Sequence, residues 1–399
     1  MTVDFDRAIP REGTHSVKHD GREAYFGARD VIPLWVADMD FAAPQAVTRA
    51  LLERAAHPVY GYTFYPDSLF EALIGWMKKR HGWEIRREWI LTSPGVVSSL
   101  HATVMAFAQA GESVIVQPPV YFPFFSAVTS TGRRLLQNPL RLDNGRYTID
   151  FEHLEQSAAE GARLLLLCSP HNPVGRVWSR DELAEVLRIA RRHNLVVLSD
   201  EIHADLVYPG QRNHSLATLT ENPSAIVTAV APSKTFNIPG LGLSALIVPD
   251  PEHRAAIRRV FDLLHLGTSN PFSIAAFEAA YRDGEEWLEQ LLAYLQGTRD
   301  FAIDYLARHV PAIQVIQPEG TYLLWLDCRQ MNMNDEELKH FFVHEARVGM
   351  SPGIVFGAGG SGFMRMNIGA PKRVIGQALE RIARALGTGP GGTQGDQLQ

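Results

Sequence analysis

The sequence is poor in cysteine and has no long apolar run. Its 399 residues contain two cysteines, Cys168 and Cys328, and both lie inside apolar runs, so no disulfide framework is expected. No apolar stretch approaches the roughly 20 residues that a membrane-spanning helix needs. The N-terminus also lacks the basic start and apolar core of a signal peptide. These absences predict a protein of the reducing cytoplasm with no membrane partner.

Positive charge is not in excess either. The chain has 38 Lys and Arg residues against 44 Asp and Glu residues, a formal net charge of -6, and no basic block or stripe. Nucleic acid is therefore not expected as a partner. Nucleotide binding is disfavoured because no phosphate-loop motif is present, and the glycine-rich run at residues 357–362 precedes a predicted strand rather than a helix. The histidines are scattered without the spacing of a metal site, so no metal is expected.

Alternating strand and helix patterns occupy the middle of the chain. The composition, 46% hydrophobic and 21% charged, is that of a globular protein with room for two domains. A helix is predicted at residues 44–56, with Val47, Leu51 and Leu52 on its apolar face. Short apolar runs and helical patterns then alternate, which predicts an α/β fold with a mainly parallel sheet covered on both faces. The predicted strands are residues 89–92, 113–116, 164–168, 195–198, 225–230 and 243–248.

The pattern changes near Gly284 and predicts a second, α+β unit. Its predicted elements are a long helix at 285–309, a strand at 319–327, a helix from 335, a strand at 364–369 and a helix at 372–386. The residues after this last helix are rich in Gly, Gln and Thr, which is typical of a disordered tail. We expect residues 1–50 to contribute to a small domain, 51–284 to form a large cofactor-binding domain, 285–386 to form the small domain, and 387–399 to be the tail.

Five chemically distinctive residues each follow a predicted strand. In an open α/β sheet, ligands bind beyond the carboxyl ends of the strands. Taken singly, each residue has an ordinary structural explanation, as a turn glycine, a core aromatic, a turn asparagine, a helix cap or a lysine on a solvated loop. Because all five fall at the same end of five strands, together they predict a ligand site. They are Gly95, Tyr121, Asn172, Asp200 and Lys234.

These residue types fit an aromatic cofactor that carries a phosphate and an aldehyde. A lysine amine forms a Schiff base with an aldehyde. A buried carboxylate keeps a pyridine nitrogen protonated, so that the ring acts as an electron sink. An asparagine amide can donate to a ring phenolate oxygen, and an aromatic side chain can stack on the ring face. Backbone amides at the start of the predicted helix at 96–108 are suited to a phosphate.

Five blocks of sequence then carry a family resemblance. They are Trp35-Val36-Ala37-Asp38-Met39-Asp40-Phe41, Tyr60-Gly61-Tyr62-Thr63, Asp200-Glu201-Ile202-His203-Ala204-Asp205, Ser233-Lys234-Thr235-Phe236-Asn237 and Met364-Arg365-Met366-Asn367-Ile368-Gly369. In this order, over nearly the whole chain, they resemble the MalY/PatB-type cystathionine β-lyase (C–S lyase) family of pyridoxal-phosphate enzymes. That family has the aspartate-aminotransferase fold, fold type I. The resemblance implies a large domain with a mainly parallel seven-stranded sheet, a smaller α+β domain, pyridoxal 5'-phosphate as cofactor, and a homodimer.

The resemblance also implies roles for the residues at the strand ends. Lys234 would be the Schiff-base lysine, and Asp200 would pair with the pyridine nitrogen. Asn172 would bind the ring oxygen, and Tyr121 would stack on the ring and take part in catalysis. Both of these residues would also contact the substrate. His203 lies beside the cofactor carboxylate in the sequence and would position or tune it.

The remaining implied roles concern the phosphate and the substrate carboxylate. After Gly95, the amides of Val96 and Val97 would hold the phosphate, together with Ser233. Tyr62 would reach the phosphate of the neighbouring subunit, so that each active site of the dimer is shared. Arg365 would bind the α-carboxylate of an amino-acid substrate through two parallel hydrogen bonds.

The chain departs from the aminotransferases of this fold at one cofactor contact. Those enzymes carry an arginine eight residues after the lysine, aimed at the phosphate, where this chain has Gly242. The absence is like the lyase group. A smaller departure is His19, where the resemblance predicts a tryptophan after Lys18.

The expected reaction is β-elimination from cystathionine or a related cysteine S-conjugate, which gives a thiol, pyruvate and ammonia. In this reaction the lysine amine removes the Cα proton. The alternatives are an aminotransferase and a regulatory interaction protein that uses the same fold. Both alternatives rest on the same resemblance as the lyase.

Overall fold

The computed structural model describes residues 2–267 and 270–388. Apolar runs of four or five residues form most of the longer strands, because such runs fill both faces of a covered sheet. The strands are β1 Ile32–Pro33, β2 Ile90–Ser93, β3 Ser113–Val116, β4 Arg134–Gln137, β5 Arg141–Asp143, β6 Arg146–Thr148, β7 Leu164–Cys168, β8 Val196–Asp200, β9 Ile226–Val230, β10 Ser244–Ile247, β11 Gln314–Ile316, β12 Leu323–Asp327, β13 Val348–Gly349, β14 Ser351–Pro352 and β15 Phe363–Asn367.

Helices follow most of the strands, and several begin at an identifiable cap. The helix that follows Ser179 begins with a capping box, in which the Ser179 hydroxyl and the Glu182 carboxylate each accept a backbone N–H of the other residue. The helices are α1 Val17–Asp20, α2 Arg22–Phe26, α3 Gln45–Ala56, α4 Asp67–His81, α5 Val96–Phe107, α6 Pro123–Thr129, α7 Phe151–Ala159, α8 Arg180–Arg192, α9 Pro232–Thr235, α10 Pro251–Leu263, α11 Pro271–Asp283, α12 Glu285–His309, α13 Asp335–His340 and α14 Lys372–Ala385.

The largest sheet has seven strands in the order β2-β10-β9-β8-β7-β3-β4. The pairs from β9 to β4 are parallel, and β10 is antiparallel to both of its neighbours. The prediction of a mainly parallel seven-stranded sheet is therefore confirmed. Strands β7, β8 and β9 lie at its centre, so their carboxyl ends meet at one edge of the sheet.

Both faces of this sheet are covered, and β7 shows how. Its residues alternate between two apolar clusters, with Leu164, Leu166 and Cys168 in one and Leu165 and Leu167 in the other. Successive side chains of a strand point to opposite faces, so a continuous apolar run fills two cores at once. This double burial explains why the central strands contain almost no polar residues before their carboxyl ends.

A smaller antiparallel sheet has the order β11-β12-β15-β14. Arg365 and Asn367 lie two residues apart on β15, so their side chains point to the same face. The short strand β1 pairs in parallel with β13, which brings the N-terminal part of the chain to this unit. The change of pattern near Gly284 coincides with the start of α12. The division of the chain into domains stays a prediction.

Two of the predicted elements differ from the structure. The strand predicted at 319–327 begins only at Leu323, because Thr321 has a left-handed φ of 69° and the carboxylate of Glu319 accepts from Nε of Arg176 at 2.8 Å. Leu52, predicted on the buried face of α3, is 67% exposed, since α3 packs against α11 through its other side. Of the predicted tail, residues 387 and 388 are hydrogen-bonded to the end of α14, and 389–399 lie outside the described residues.

Candidate active site

The carboxyl ends of the central strands open into a cavity of about 210 Å³. Strand β8 ends at Asp200, the chain after β7 reaches Asn172, and the chain after β9 forms α9, which carries Lys234. Nine of the eleven predicted site residues line this cavity, and Tyr62 and Arg365 do not. The nine are Gly95, Val96, Val97, Tyr121, Asn172, Asp200, His203, Ser233 and Lys234.

The Lys234 side chain is partly exposed to the cavity. Its Nζ donates to the backbone oxygen of Ala37 at 2.6 Å. Desolvation and the positive charge of Arg365 together lower the pKa of this amine to about 8, against the opposite effects of Asp38 and Asp200. A lysine with this pKa is deprotonated in part near neutral pH, so it can act as a nucleophile or as a base.

Asp200 is buried at the end of a central strand. Its Oδ1 accepts from the backbone N–H of Ile202 at 3.2 Å. Burial raises the pKa of the carboxyl to about 7, and the nearby Lys234 charge offsets this in part. The ionised form of a buried carboxyl with so high a pKa is stabilised when a cationic group lies against it, because the attraction between the two charges compensates for the lost hydration.

Arg365 lies on β15 and is joined to the cavity through Asn172, which lines it. Its Nη1 donates to Oδ1 of Asn172 at 3.0 Å, and its Nη2 donates to the backbone oxygen of Trp35 at 2.8 Å. The Nε atom of Arg365 finds no hydrogen-bond partner among the described residues. Burial lowers the pKa of this guanidinium to about 10, so it remains charged at neutral pH. The arginine is thus fixed at one end and has donor capacity to spare for an anion.

Tyr121 and Asn172 are joined through their backbones. The N–H of Tyr121 donates to the backbone oxygen of Asn172 at 3.1 Å. Burial raises the pKa of the Tyr121 phenol, so the hydroxyl stays neutral at physiological pH. The loops that follow β3 and β7 therefore present an aromatic ring and an amide to the same cavity.

Helix α5 begins at the cavity with its amides free. Its N-cap, Gly95, has no side chain that could cap the first turn, and the next three residues, Val96, Val97 and Ser98, all line the cavity. Free N–H groups at a helix start favour an anion. A Cβ atom at Gly242 would lie 2.8 Å from the backbone oxygen of Pro94, so an arginine at this position is excluded without a shift of the backbone.

His203 is buried against the same cavity and is neutral. Burial lowers the pKa of its imidazole to about 3, and the charges of Lys234 and Arg365 act in the same direction. Its Nδ1 has no hydrogen-bond partner in the described part of the chain. Its ring lies edge-on to that of Tyr322, with 6.1 Å between the ring centroids. A buried imidazole nitrogen without a partner is unusual and marks a place where a ligand group can bind.

Tyr62 lies apart from this cavity. Its side chain is fully exposed, in a stretch of irregular extended chain where Tyr60 and Phe64 are exposed as well. Three exposed aromatic side chains in five residues form a cluster that is typical of an interface. The predicted contact of Tyr62 with a phosphate requires a second subunit.

Sequence reasoning missed the residues that hold the Lys234 amine. The backbone oxygen of Ala37 accepts from Lys234 and from the hydroxyl of Tyr322, at 2.6 and 2.9 Å. Residues 35–41 were expected to mark a family, but no chemical role follows from their side chains. A backbone acceptor cannot be identified from residue type. The only signal in the sequence was the presence of two aspartates, Asp38 and Asp40, in an otherwise mainly apolar stretch, which indicates that their side chains make specific contacts.

The described residues include neither a metal-ion cluster nor a membrane-spanning helix. Within residues 2–267 and 270–388, no group of three or more His, Cys, Asp or Glu side chains is arranged to hold a metal ion. No helix in the same ranges has the length and apolar character needed to cross a bilayer.

Comparison with known proteins places the chain among pyridoxal-phosphate enzymes. The model of the family "aminotransferase class I and II" matches residues 29–382. Cystathionine beta-lyase PatB of Bacillus subtilis (strain 168) is 42% identical over 386 residues, which are 96% of this chain and 100% of PatB.

Solved structures agree with this match. The crystal structure of cystalysin from Treponema denticola, which contains a pyridoxal 5'-phosphate cofactor, has a TM-score of 0.94 and 35% identity, and the alignment covers 97% of this chain and 99% of cystalysin. The PLP-bound C–S lyase from Staphylococcus hominis has a TM-score of 0.90 and 32% identity, with 97% of this chain and 98% of that chain covered. The similarity therefore extends over both sheets and over the residues that line the cavity.

Proposed function

The chain belongs to the aminotransferase class I and II family, and we propose that within it the protein is a pyridoxal-phosphate-dependent C–S β-lyase. Its substrates are cystathionine or related cysteine S-conjugates, which it cleaves to a thiol, pyruvate and ammonia. The observation that carries the proposal is that Lys234 and the buried Asp200 line one cavity, where burial lowers the pKa of the amine and raises that of the carboxyl. The names of PatB and of the Staphylococcus hominis C–S lyase support the choice of reaction.

The residues of the cavity fit pyridoxal 5'-phosphate. Lys234 supplies the amine for the cofactor aldehyde, and Asp200 supplies the carboxylate for its ring nitrogen. Burial alone disfavours the ionised form of Asp200, and a cationic ring nitrogen beside the carboxylate would stabilise that form. The free amides at the start of α5, with Ser233, suit the phosphate, and they replace the contact that Gly242 lacks. When bound, the cofactor supplies an electron sink for negative charge at the substrate Cα.

Arg365 and its neighbours orient the substrate. The guanidinium is held by Asn172 and by the backbone of Trp35, and its unpartnered Nε is available to the α-carboxylate of an amino acid. Tyr121 lines the cavity, where its ring can lie against the cofactor and the substrate. Fixing the carboxylate orients the bonds at Cα relative to the lysine amine.

Lys234 moves the proton. When the amine is free it accepts the Cα proton of the substrate, and a pKa of about 8 is suited to this because it lies close to physiological pH. The cavity walls are largely apolar, which strengthens the interactions of the charged groups inside. Loss of the thiolate from Cβ then follows from the negative charge at Cα.

Each active site is shared between two identical subunits in this proposal. Tyr62 is fully exposed, with Tyr60 and Phe64 nearby, and a second copy of the chain would cover this aromatic cluster. From there the Tyr62 hydroxyl would donate to the phosphate of the neighbouring site. Cys168 and Cys328 are buried and free, which fits the reducing cytoplasm as the place where the enzyme works.

Product analysis tests the reaction. The purified chain, loaded with pyridoxal phosphate, should release pyruvate and ammonia in equal amounts from cystathionine, cystine or S-alkyl cysteines. Lys234→Ala should lower turnover by at least about 100-fold, the usual contribution of a positioned acid–base group. Lys339→Ala, which changes an exposed lysine of α13, is the matched control and should keep full activity. Formation of glutamate or alanine with a keto acid acceptor, and little free ammonia, would identify an aminotransferase instead.

A further inference from the structure

Residues 35–41 lie between the two sheets and are held through their backbone. At the centre of this segment, the Ala37 oxygen accepts from Lys234, on the helix α9 that follows β9 of the large sheet, and from Tyr322, directly before β12 of the small sheet. Nδ2 of Asn367 donates to the oxygens of the residues on either side, Val36 and Asp38, both at 2.6 Å. Three consecutive carbonyl groups therefore have their directions set by side chains from both units.

A second amide holds the segment from the turn that carries Lys234. Oδ1 of Asn237 accepts from the N–H of Met39 at 2.8 Å, and its Nδ2 donates to the oxygens of Met39 and Phe41 at 2.9 and 2.8 Å. Asn237 has a left-handed φ of 54°. Unfavourable backbone conformations of this kind persist where surrounding contacts require them. The segment and the Lys234 turn thus form one hydrogen-bonded unit.

Charged side chains from the N-terminal residues also hold this segment, through ion pairs with its two aspartates. Arg11 donates to both oxygens of Asp38 at 2.9 Å and to Oδ1 of Asp40 at 2.6 Å. Lys18 is completely buried, with its amine 2.8 Å from Oδ2 of Asp40. His19, at the position where the family resemblance predicts tryptophan, adds a contact of 3.1 Å between Nε2 and Oδ1 of Asp40. An unpaired buried ammonium is strongly unfavourable, so separating Lys18 from Asp40 would cost free energy.

We propose that these four charged residues, Arg11, Lys18, Asp38 and Asp40, are positioning residues for the amine of Lys234. By fixing segment 35–41 they hold the Ala37 oxygen at the point where the free amine rests whenever it is not joined to the cofactor. The inference rests on the proposed function in one respect, since it takes the Lys234 amine to be the group that carries the proton. None of the four lines the cavity, so they act on the amine through the backbone of the segment and, for Asp38 with its partner Arg11, also through charge.

The charges of the same group bear on the amine directly. The charged groups that face Lys234 are Arg365, which disfavours its ammonium form, and Asp38 and Asp200, which favour it. Arg11 neutralises Asp38 through a two-point contact, so the effect of Asp38 on the amine depends on that pair. Removing one member or the other should therefore move the amine's pKa in opposite directions.

Arg22 provides a matched control for a merely structural role. It belongs to the same N-terminal region, where it donates to the backbone oxygen of His19 at 2.7 Å and pairs with Glu12. Among the residues that the structure describes, it makes no hydrogen bond or ion pair with segment 35–41. Arg22→Gln should therefore weaken the packing of the N-terminal helices in the same way as a change at Arg11, without moving the Ala37 oxygen.

The experiment measures the titration of Lys234 in the cofactor-free chain. The sequence has six lysines, so competitive amine labelling followed by mass spectrometry resolves each one, and the pH midpoint for Lys234 can be read directly. Asp38→Asn is expected to lower this midpoint and Arg11→Gln to raise it, while Arg22→Gln leaves it unchanged. In the loaded enzyme, Asp38→Asn and Arg11→Gln should each reduce kcat by about 10- to 100-fold with little change in KM, as expected for a misplaced reacting group.

Opposite shifts cannot come from a general loss of packing, which would move both variants in the same direction. Equal midpoints in Asp38→Asn, Arg11→Gln and the unmodified chain, with melting temperatures lowered as in Arg22→Gln, would overturn the inference. If Arg11→Gln does not fold, Arg11→Lys retains the charge but loses the two-point contact, and it should give a smaller upward shift. Labelling needs no substrate, so shifted midpoints in a chain that releases no pyruvate would reject the lyase proposal alone.

Discussion

Nη1 of Arg365 lies 3.0 Å from Oδ1 of Asn172, and this bond joins β15 of the small sheet to the loop after β7 of the large sheet. In the proposed enzyme, one residue binds the substrate carboxylate and the other binds the cofactor ring oxygen. The two groups that must be aligned for the reaction are thus held in a single buried contact. A substitution at either residue should therefore weaken the binding of both the cofactor and the substrate.

The first prediction concerns Arg365. Arg365→Met should lower kcat/KM for the amino-acid substrate by about 10- to 100-fold, because hydrogen bonds to charged groups contribute about 1.5–3 kcal/mol. Arg365→Lys should recover only part of this, since an ammonium cannot donate to Asn172 and a carboxylate in the same planar geometry. Steady-state kinetics on the loaded enzyme measure both effects. The exposed Arg373 provides the control, and a loss of kcat/KM in Arg373→Met as large as in Arg365→Met would contradict the assignment.

The second prediction is a pH dependence caused by Asp200. Its folded-state pKa is raised from 3.8 to about 7, so its contribution to stability is fully present below pH 3.8 and is lost as the pH rises through about 7. Without cofactor, Asp200→Asn should therefore be more stable than the parent chain above pH 7, by up to roughly 4 kcal/mol for a shift of three pH units. At the acidic end of this pH range, the unfolding free energies of Asp200→Asn and of the parent chain should become equal.

Calorimetry across the window checks this. Addition of pyridoxal phosphate should reverse the order at pH 8, because the parent gains an ion pair with the ring nitrogen that Asp200→Asn cannot form. Parallel stability profiles for the two cofactor-free proteins would show that Asp200 is not desolvated as the structure indicates.

The third prediction concerns the shared site. Because the Tyr62 side chain is fully exposed within one chain, Tyr62→Ala should leave the unfolding free energy within about 0.5 kcal/mol of its original value. Its affinity for pyridoxal phosphate should nevertheless fall by about 10- to 100-fold, through the loss of a hydrogen bond to a charged group. Equilibrium dialysis measures the affinity.

Mixed dimers test whether the contact crosses between subunits. A dimer of one Tyr62→Ala chain and one Lys234→Ala chain has one site with both native residues. Refolding an equal mixture should therefore restore roughly a quarter of the native activity, although each variant alone is inactive or weak. A mixture with no more activity than its separate components would mean that Tyr62 acts within its own subunit or not at all.

The fourth prediction concerns Gly242. A Cβ atom there would lie 2.8 Å from the Pro94 oxygen, so Gly242→Ala should destabilise the chain by about 1–3 kcal/mol and weaken cofactor binding next to α5. Gly240→Ala, two residues earlier, is the matched control because its Cβ would meet nothing within 4 Å. Thermal unfolding of both variants gives the comparison, and equal melting temperatures would contradict the close approach.

The large sheet could be predicted from the sequence because its strands are buried on both faces. The runs at 113–116 and 164–168 match β3 and β7 residue for residue. A strand at 319–327 was predicted too long, since the turn at Thr321 depends on contacts of Glu319 with a distant arginine that no local pattern contains. Strand direction, such as that of antiparallel β10, also follows from tertiary pairing rather than from composition.

The site could be predicted as a set of side chains but not as a geometry. The residues at the strand ends come together because parallel strands share an edge, so their order along the chain was sufficient to group them. The support of the Lys234 amine was not predictable in this way, because its acceptor is the backbone of Ala37. Its position depends on Asn237 and Asn367, which are separated from it by about two hundred residues or more of chain.

The recognition of residues 35–41 through carbonyl groups has a consequence for how this chain can diverge. Exchange of Val36 or Ala37 for another small residue leaves the pattern of acceptors intact. Deletion or insertion of a single residue would displace each acceptor by about 3.5 Å, and every donor would then face the wrong atom. Apart from Asp38 and Asp40, whose carboxylates are paired with Arg11 and Lys18, the number of residues in this stretch is more constrained than their identity, so insertions and deletions should be selected against while exchanges at Val36 and Ala37 are tolerated.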